Sequence, residues 1–209
     1  MTHATLAEQR TISPPHGNAI IDAIELDDRG LVVRAQAGDA HAFGLLLRRY
    51  ERRLLAVARR AAGGEAEPED VVQDAALKAW TAIGRFDPDR PLAPWLFTVT
   101  VRVARTHRGR HRRRRLLLLR APQPANRDAT GPAPTEDSIW SVVDACLPPQ
   151  QRIALWLRYG ERLDAPAIAA ALDTNATAVR AVLARARRSL RRHLEQQGAI
   201  DDGREPHDA

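Results

Sequence analysis

Lysine is almost missing from this 209-residue chain: Lys78 stands alone among 32 basic side chains, and the other 31 are arginine. No glycine-rich loop can therefore end in Gly-Lys-Ser/Thr, which excludes a nucleotide-hydrolysing P-loop. Cysteine is equally scarce. Cys146 is the single one, so a disulfide scaffold and a cysteine-built zinc finger within one chain are excluded. Aromatic residues make up 4%, too few for an aromatic-rich all-β core. Long apolar runs are absent as well. The longest leucine run, Leu116 to Leu119, has arginine on both sides and falls far below the ~20 apolar residues of a membrane span. The N-terminus lacks the basic start and apolar stretch of a signal peptide. A soluble, cytoplasmic protein with no membrane association is expected.

What the chain does have is arginine, unevenly placed. The net charge is +6, but its location says more than its size. Arg102 to Arg120 holds nine arginines and no acid, and Arg180 to Arg192 holds six and no acid. Acids gather at Glu65, Glu67, Glu69, Asp70 and Asp74, and again at Asp201, Asp202, Glu205 and Asp208. Two separated acid-free basic blocks predict two surfaces for a polyanion, and nucleic acid is the natural one. Histidine offers little for catalysis. His107 and His111 are an i,i+4 pair, but they lie in a cationic run with no acid beside them in sequence to complete a metal site. No metal, no cofactor and no enzymatic activity are expected.

Helical periodicity dominates the rest. Phe43, Leu46, Leu47, Tyr50, Leu54, Val57 and Ala61 recur at three- and four-residue steps until Gly63-Gly64. Pro68, Glu69 and Asp70 suit the first turn of a second helix, whose predicted stripe is Val72, Ala76, Ala79 and Ile83. A third stripe, Leu92, Trp95, Leu96, Val99 and Val103, runs straight into the first arginine block. Gly109 is expected to fray or bend that helix. Trp80 and Trp95 fall on apolar stripes and are expected in the core rather than as base-stacking platforms. Residues 121–135 hold four prolines and no periodicity, as a linker would. Beyond it, Ile139, Val142, Val143 and Cys146 precede a helix expected from Pro149 to Tyr159, stopped by a left-handed Gly160. Asp164 and Asn175 can cap two final helices around the turn Asp173-Thr174. No strand alternation is present, so the fold class is all-α, with two small helical domains joined by a flexible linker.

The last two helices have helix-turn-helix dimensions, in which the start of the second helix faces base edges in the major groove. Leu183, Ala186 and Leu190 would face the core. Thr177, Arg180, Ala181 and Arg185 would face outward near the helix start, with Arg187 and Arg188 further along for phosphates. The segment LPPQQRIALWLRYGERLDAPAIAAALDTNATAVRAVLARARRSLRR (147–192) resembles region 4 of bacterial RNA polymerase sigma factors of the extracytoplasmic-function (ECF) class. GDAHAFGLLLRRYERRLLAVARR, PEDVVQDAALKAW and IGRFDPDRPLAPWLFTVTVRVARTHRGRHRRRR, within 38–115, resemble region 2 of the same class.

That resemblance implies an N-terminal mobile arm at 1–28, region 2 at 29–120, the linker at 121–135, region 4 with its helix-turn-helix at 136–194 and an acidic tail at 195–209. It implies a non-enzymatic factor that binds core RNA polymerase and gives it promoter recognition. Region 2 would dock on the polymerase clamp through Asp70, Gln73 and Asp74. It would capture the −10 element as a single strand, with Arg102, Arg105, Arg108, Arg110, Arg112 and Arg113 on the phosphates. Region 4 would bind the −35 duplex. The partners implied are core RNA polymerase, promoter DNA and, as for many members, an anti-sigma factor, with the free protein a monomer. The chain departs from the family pattern at Val101, Arg102 and Thr106, and in region 4 at Asp173, where a turn glycine is usual. At Arg180-Ala181-Val182 the usual Lys-Ser-Arg is replaced, and Val182 is expected to cost an outward cation. Two other functions stay open on the residues alone: a stand-alone helix-turn-helix regulator, and a sigma-like adaptor that docks polymerase without opening promoters.

Overall fold

The computed structural model describes residues 26–118 and 139–197. The arm up to residue 25, the whole linker at 121–135 and the tail beyond residue 197 lie outside the described residues. Two groups of helices result, and no strand occurs among the described residues.

The first group holds four helices. α1 (Asp28–Gln36) starts at Asp27, whose carboxylate accepts from the Gly30 amide at 2.8 Å. α2 (Ala40–Ala62) starts at Asp39, which accepts from the His41 and Ala42 amides, both at 3.0 Å. The Ala42 hydrogen bond and the neighbouring Arg34 guanidinium hold the Asp39 carboxyl below the usual carboxylate range. α2 ends at Gly63, left-handed at φ 68°. Its predicted stripe is buried except Leu47, which is half-buried. Tyr50 hydrogen-bonds Asp28, and burial with that carboxylate pushes its hydroxyl up to about 12.

α3 (Pro68–Ala82) begins with the expected Pro68, Glu69 and Asp70. Its core register is corrected: Val71, Ala75 and Ala79 are buried, and Val72 and Ala76 are half-buried. The doublets Val71-Val72 and Ala75-Ala76 allow either register by periodicity, and packing selects the earlier one. A 3₁₀ turn (Ile83–Arg85) follows, tied to α1 through Gln36, whose amide donates to the Ile83 and Phe86 carbonyls. α4 (Leu92–Leu118) is a single helix of 27 residues, about 40 Å long. It continues through Gly109 without the expected break. Trp80 packs on Phe43 and Trp95 on Phe86, with centroids 5.1 and 4.9 Å apart. Both indoles are partly buried against the core.

The second group starts with α5 (Ile139–Cys146) and α6 (Pro149–Leu155). α6 widens into one π-helical turn, Trp156–Gly160. The left-handed stop expected at Gly160 is corrected: Arg162, at φ 57°, is the left-handed residue. Gly160 is needed for space, because a Cβ there would lie 2.9 Å from the Trp156 ring. α7 (Ala165–Leu172) is capped by Asp164 and α8 (Ala176–Gln196) by Asn175, each accepting an amide hydrogen bond at 2.8 Å. The two groups pack together. α6 lies on α2, α7 lies on α4, and the buried side chains of both groups form one continuous cluster.

Candidate nucleic-acid interface

α7 and α8 bend 96° apart, within the range of a helix-turn-helix. The corner is closed by the Thr174 amide, which donates to the Ala169 carbonyl at 3.0 Å. Asp173 takes the left-handed conformation at φ 55° that glycine would take without strain. Val179, Val182, Leu183 and Ala186 are buried. That leaves Thr177, Arg180, Ala181, Arg185, Arg187 and Arg188 exposed. The expected loss of an outward cation at Val182 is corrected, since this position is an inward one in the present fold.

The first arginine block lies on the distal half of α4. Val101, Val103 and Ala104 are buried, whereas Arg102, Arg105, Arg110, Arg112 and Arg113 are exposed and Arg108 is half-buried. From Arg110 to Arg114 every residue is exposed. Like charges three and four residues apart disfavour a helix, and a polyanion lying along this segment would relieve that repulsion. Arg105 is engaged elsewhere, donating to the Leu172 carbonyl at the end of α7 at 2.8 Å. Val101 belongs to the core, and the Thr106 hydroxyl donates to the Arg102 carbonyl at 3.0 Å.

The acidic surface is α3. Asp70 and Gln73 are exposed and Asp74 is partly exposed, on one face at helical spacing. Leu77, 62% exposed, extends the same face. Periodicity had no way to single it out, because an outward leucine looks like any other. Asp74 also meets His107 of α4, Oδ2 to Nε2 at 2.7 Å, and Glu65 lies 3.9 Å from Arg108. The absence of an acid near His107 holds in sequence and is corrected in space. These contacts join the acidic and basic surfaces along one edge.

The loop between the 3₁₀ turn and α4 adds a feature the sequence did not reveal. A cleft of about 560 Å³ is lined by Arg85, Phe86, Arg90, Pro91 and Trp95, with Ala167 and Ala170 of α7 as its far wall. Aromatic surface beside guanidinium groups suits an unstacked base and its phosphate.

Comparison with known proteins agrees with this arrangement. Residues 46–114 match the family model for sigma-70 region 2, and residues 145–190 match that for sigma-70 region 4. The RNA polymerase sigma factor NccH of Alcaligenes xylosoxydans xylosoxydans is 33% identical over 174 residues, covering 78% of this chain and 92% of that protein. The ECF RNA polymerase sigma-E factor of Escherichia coli K12 is 29% identical over 187 residues, covering 79% and 93%. Among solved structures, CnrH in complex with the cytosolic domain of CnrY is similar at a TM-score of 0.55 and 30% identity, covering 81% of this chain and 97% of that one. With both regions present in order and a relative matched along most of its length, the chain belongs to the bacterial sigma factors of the ECF class, non-catalytic factors that direct promoter-specific initiation by RNA polymerase.

Proposed function

We propose a division of labour among three surfaces. Thr177, Arg180, Ala181 and Arg185 on the exposed start of α8 read the −35 duplex, while Arg187 and Arg188 hold phosphates. Arg102, Arg105, Arg108, Arg110, Arg112 and Arg113 on α4, with the Trp95 cleft, hold the −10 strand. Asp70, Gln73, Asp74 and Leu77 on α3 form the polymerase-facing surface. The observation that carries this reading is the split of α8. Its apolar residues are buried beneath a 96° corner, and all six of its candidate contacts are exposed. The related CnrH is solved with a second protein bound, and an anti-sigma factor is the corresponding partner here. With polymerase in the cytoplasm as its site of action, the chain needs no membrane association.

Run-off transcription with core polymerase on genomic DNA, followed by mapping of start sites, tests the assignment. Arg180→Ala is expected to cost about 1–3 kcal/mol at the −35 site and to relax its sequence preference. Arg187→Ala should weaken all promoters alike. Start sites unchanged in strength and sequence for both variants would remove α8 from the reading surface.

A further inference from the structure

The loop that carries the Trp95 cleft is held by few apolar contacts. Between Ile83 and Leu92, Phe86 alone is buried, and its ring centroid lies 4.9 Å from that of Trp95. Arg85, Phe86, Asp87 and Arg90 of this loop wall the cleft, with Pro94 and Trp95 of α4 beside them. Within the loop, Asp87 accepts from the Asp89 amide through its carboxylate and from the Arg90 amide through its carbonyl, both at 3.0 Å. These bonds shape the loop but do not fix it to the rest of the molecule.

Two side chains of α1 do so. Gln36, its last residue, donates from Nε2 to the Ile83 carbonyl at 2.9 Å and to the Phe86 carbonyl at 2.6 Å. Both hydrogens of its amide are thereby used. The Phe86 amide itself donates to the Ile83 carbonyl at 3.0 Å. One half-buried glutamine thus spans the point where the 3₁₀ turn opens into the loop. At the other end of α1, Arg29 pairs with Asp89 at 2.7 Å, but the two side chains are 64% and 74% exposed, and such a pair holds weakly. α1 in turn is anchored on α2. Its Leu31, Val32 and Ala35 are buried, and Arg49 donates to the Asp28 carboxylate at 2.6 Å and to the Leu26 carbonyl at 3.0 Å. Hydrogen-bonded supports of this kind decide whether a recognition site keeps its shape.

We propose that Gln36 is a positioning residue for −10 recognition: by holding the Ile83 and Phe86 carbonyls, it sets where the loop presents Phe86, Asp87 and Arg90 to an unstacked base. This rests on the reading of the Trp95 cleft given above. Glutamine suits the task because it brings two donors on one planar amide. Methionine has similar reach and no donor, and an ionised glutamate of the same length sets an acceptor against two carbonyls.

Holoenzyme assembled from core polymerase and the full-length chain tests it. The probe is a fork-junction DNA whose single-stranded segment copies a −10 element mapped by run-off transcription, together with forks carrying single base substitutions there. Gln36→Met is expected to lower affinity for the matched fork about tenfold, as two lost hydrogen bonds would, and to narrow the discrimination between matched and substituted forks. Gln36→Glu should do the same, and a loss shared by an apolar and a charged replacement follows from the missing donors. In the free chain, deuterium exchange at residues 84–90 should quicken in both variants, while affinity for core polymerase stays close to that of the wild type. Either variant discriminating as the wild type does, or exchanging deuterium in the loop no faster, would overturn the proposal. A parallel fall in polymerase affinity would overturn it too, since Gln36 would then support the fold at large. Arg90→Ala separates the premise from the inference. If removing that cleft guanidinium leaves fork affinity and discrimination unchanged, the reading of the cleft fails. If it lowers them while both Gln36 variants do not, the positioning role fails.

Discussion

Asp173 shows how a single residue can depart from its family without losing the fold. It stands at the corner of the helix-turn-helix in the left-handed conformation, where a Cβ costs about 1–2 kcal/mol. The backbone amides of Asp173 and Thr174, both donating to the Ala169 carbonyl, keep the corner closed regardless. Asp173→Gly should therefore raise stability by about 1 kcal/mol, measured by urea denaturation, and leave the promoter preference unchanged. A loss of stability would show that the Asp173 side chain contributes more than its backbone costs. The capping residues Asp164 and Asn175 were legible in sequence because a cap depends only on the next three residues. Gly160 was legible as a special position but for the wrong reason. Its conformation is ordinary, and the constraint comes from the Trp156 ring, which no local rule anticipates.

Among the elements, α3 was the least determined by pattern. Paired valines and paired alanines leave two registers one residue apart, and the choice falls to the neighbouring α2 and α4. The register decides which residues face outward, so it also decides that Leu77 joins Asp70, Gln73 and Asp74. An outward leucine within a charged face is a natural anchor for a partner, whereas its exposure means it adds little to folding. Leu77→Asp should change stability by less than ~0.5 kcal/mol yet sharply reduce co-purification of core polymerase. Equal recovery of polymerase with the wild-type and Leu77→Asp chains would place the docking surface elsewhere. α4, by contrast, was legible in part: Leu92, Leu96 and Val103 of its expected stripe are buried, but so are Phe97, Val101 and Ala104, while Trp95 and Val99 are only partly buried. Its continuity through Gly109 was not legible either, because one glycine costs about 1 kcal/mol against a long helix anchored by packing.

At the scale of the whole molecule, two helical groups were legible and their mutual packing was not. Each group follows from periodicity within its own segment. The seam depends on matching surfaces far apart in sequence, such as Arg53 with Glu161, and no periodicity encodes that. The charge distribution does carry through to the assembled molecule. If about six phosphates are neutralised, log affinity of the holoenzyme for promoter DNA should fall with log salt at a slope near −5. A slope near zero, measured by filter binding across a salt series, would mean that the two arginine blocks do not face the DNA backbone.

The tryptophans are divided between two jobs, and this has a practical consequence. Trp80 and Trp95 stay within the first group of helices, while Trp140 and Trp156 stack edge to face, 4.8 Å apart, around the Arg60 guanidinium. Half of the chain's indole chromophores therefore sit at the seam between the two groups of helices, against Arg60 of α2. The molecule carries its own optical gauge of how its two halves pack, in native side chains placed where those halves meet.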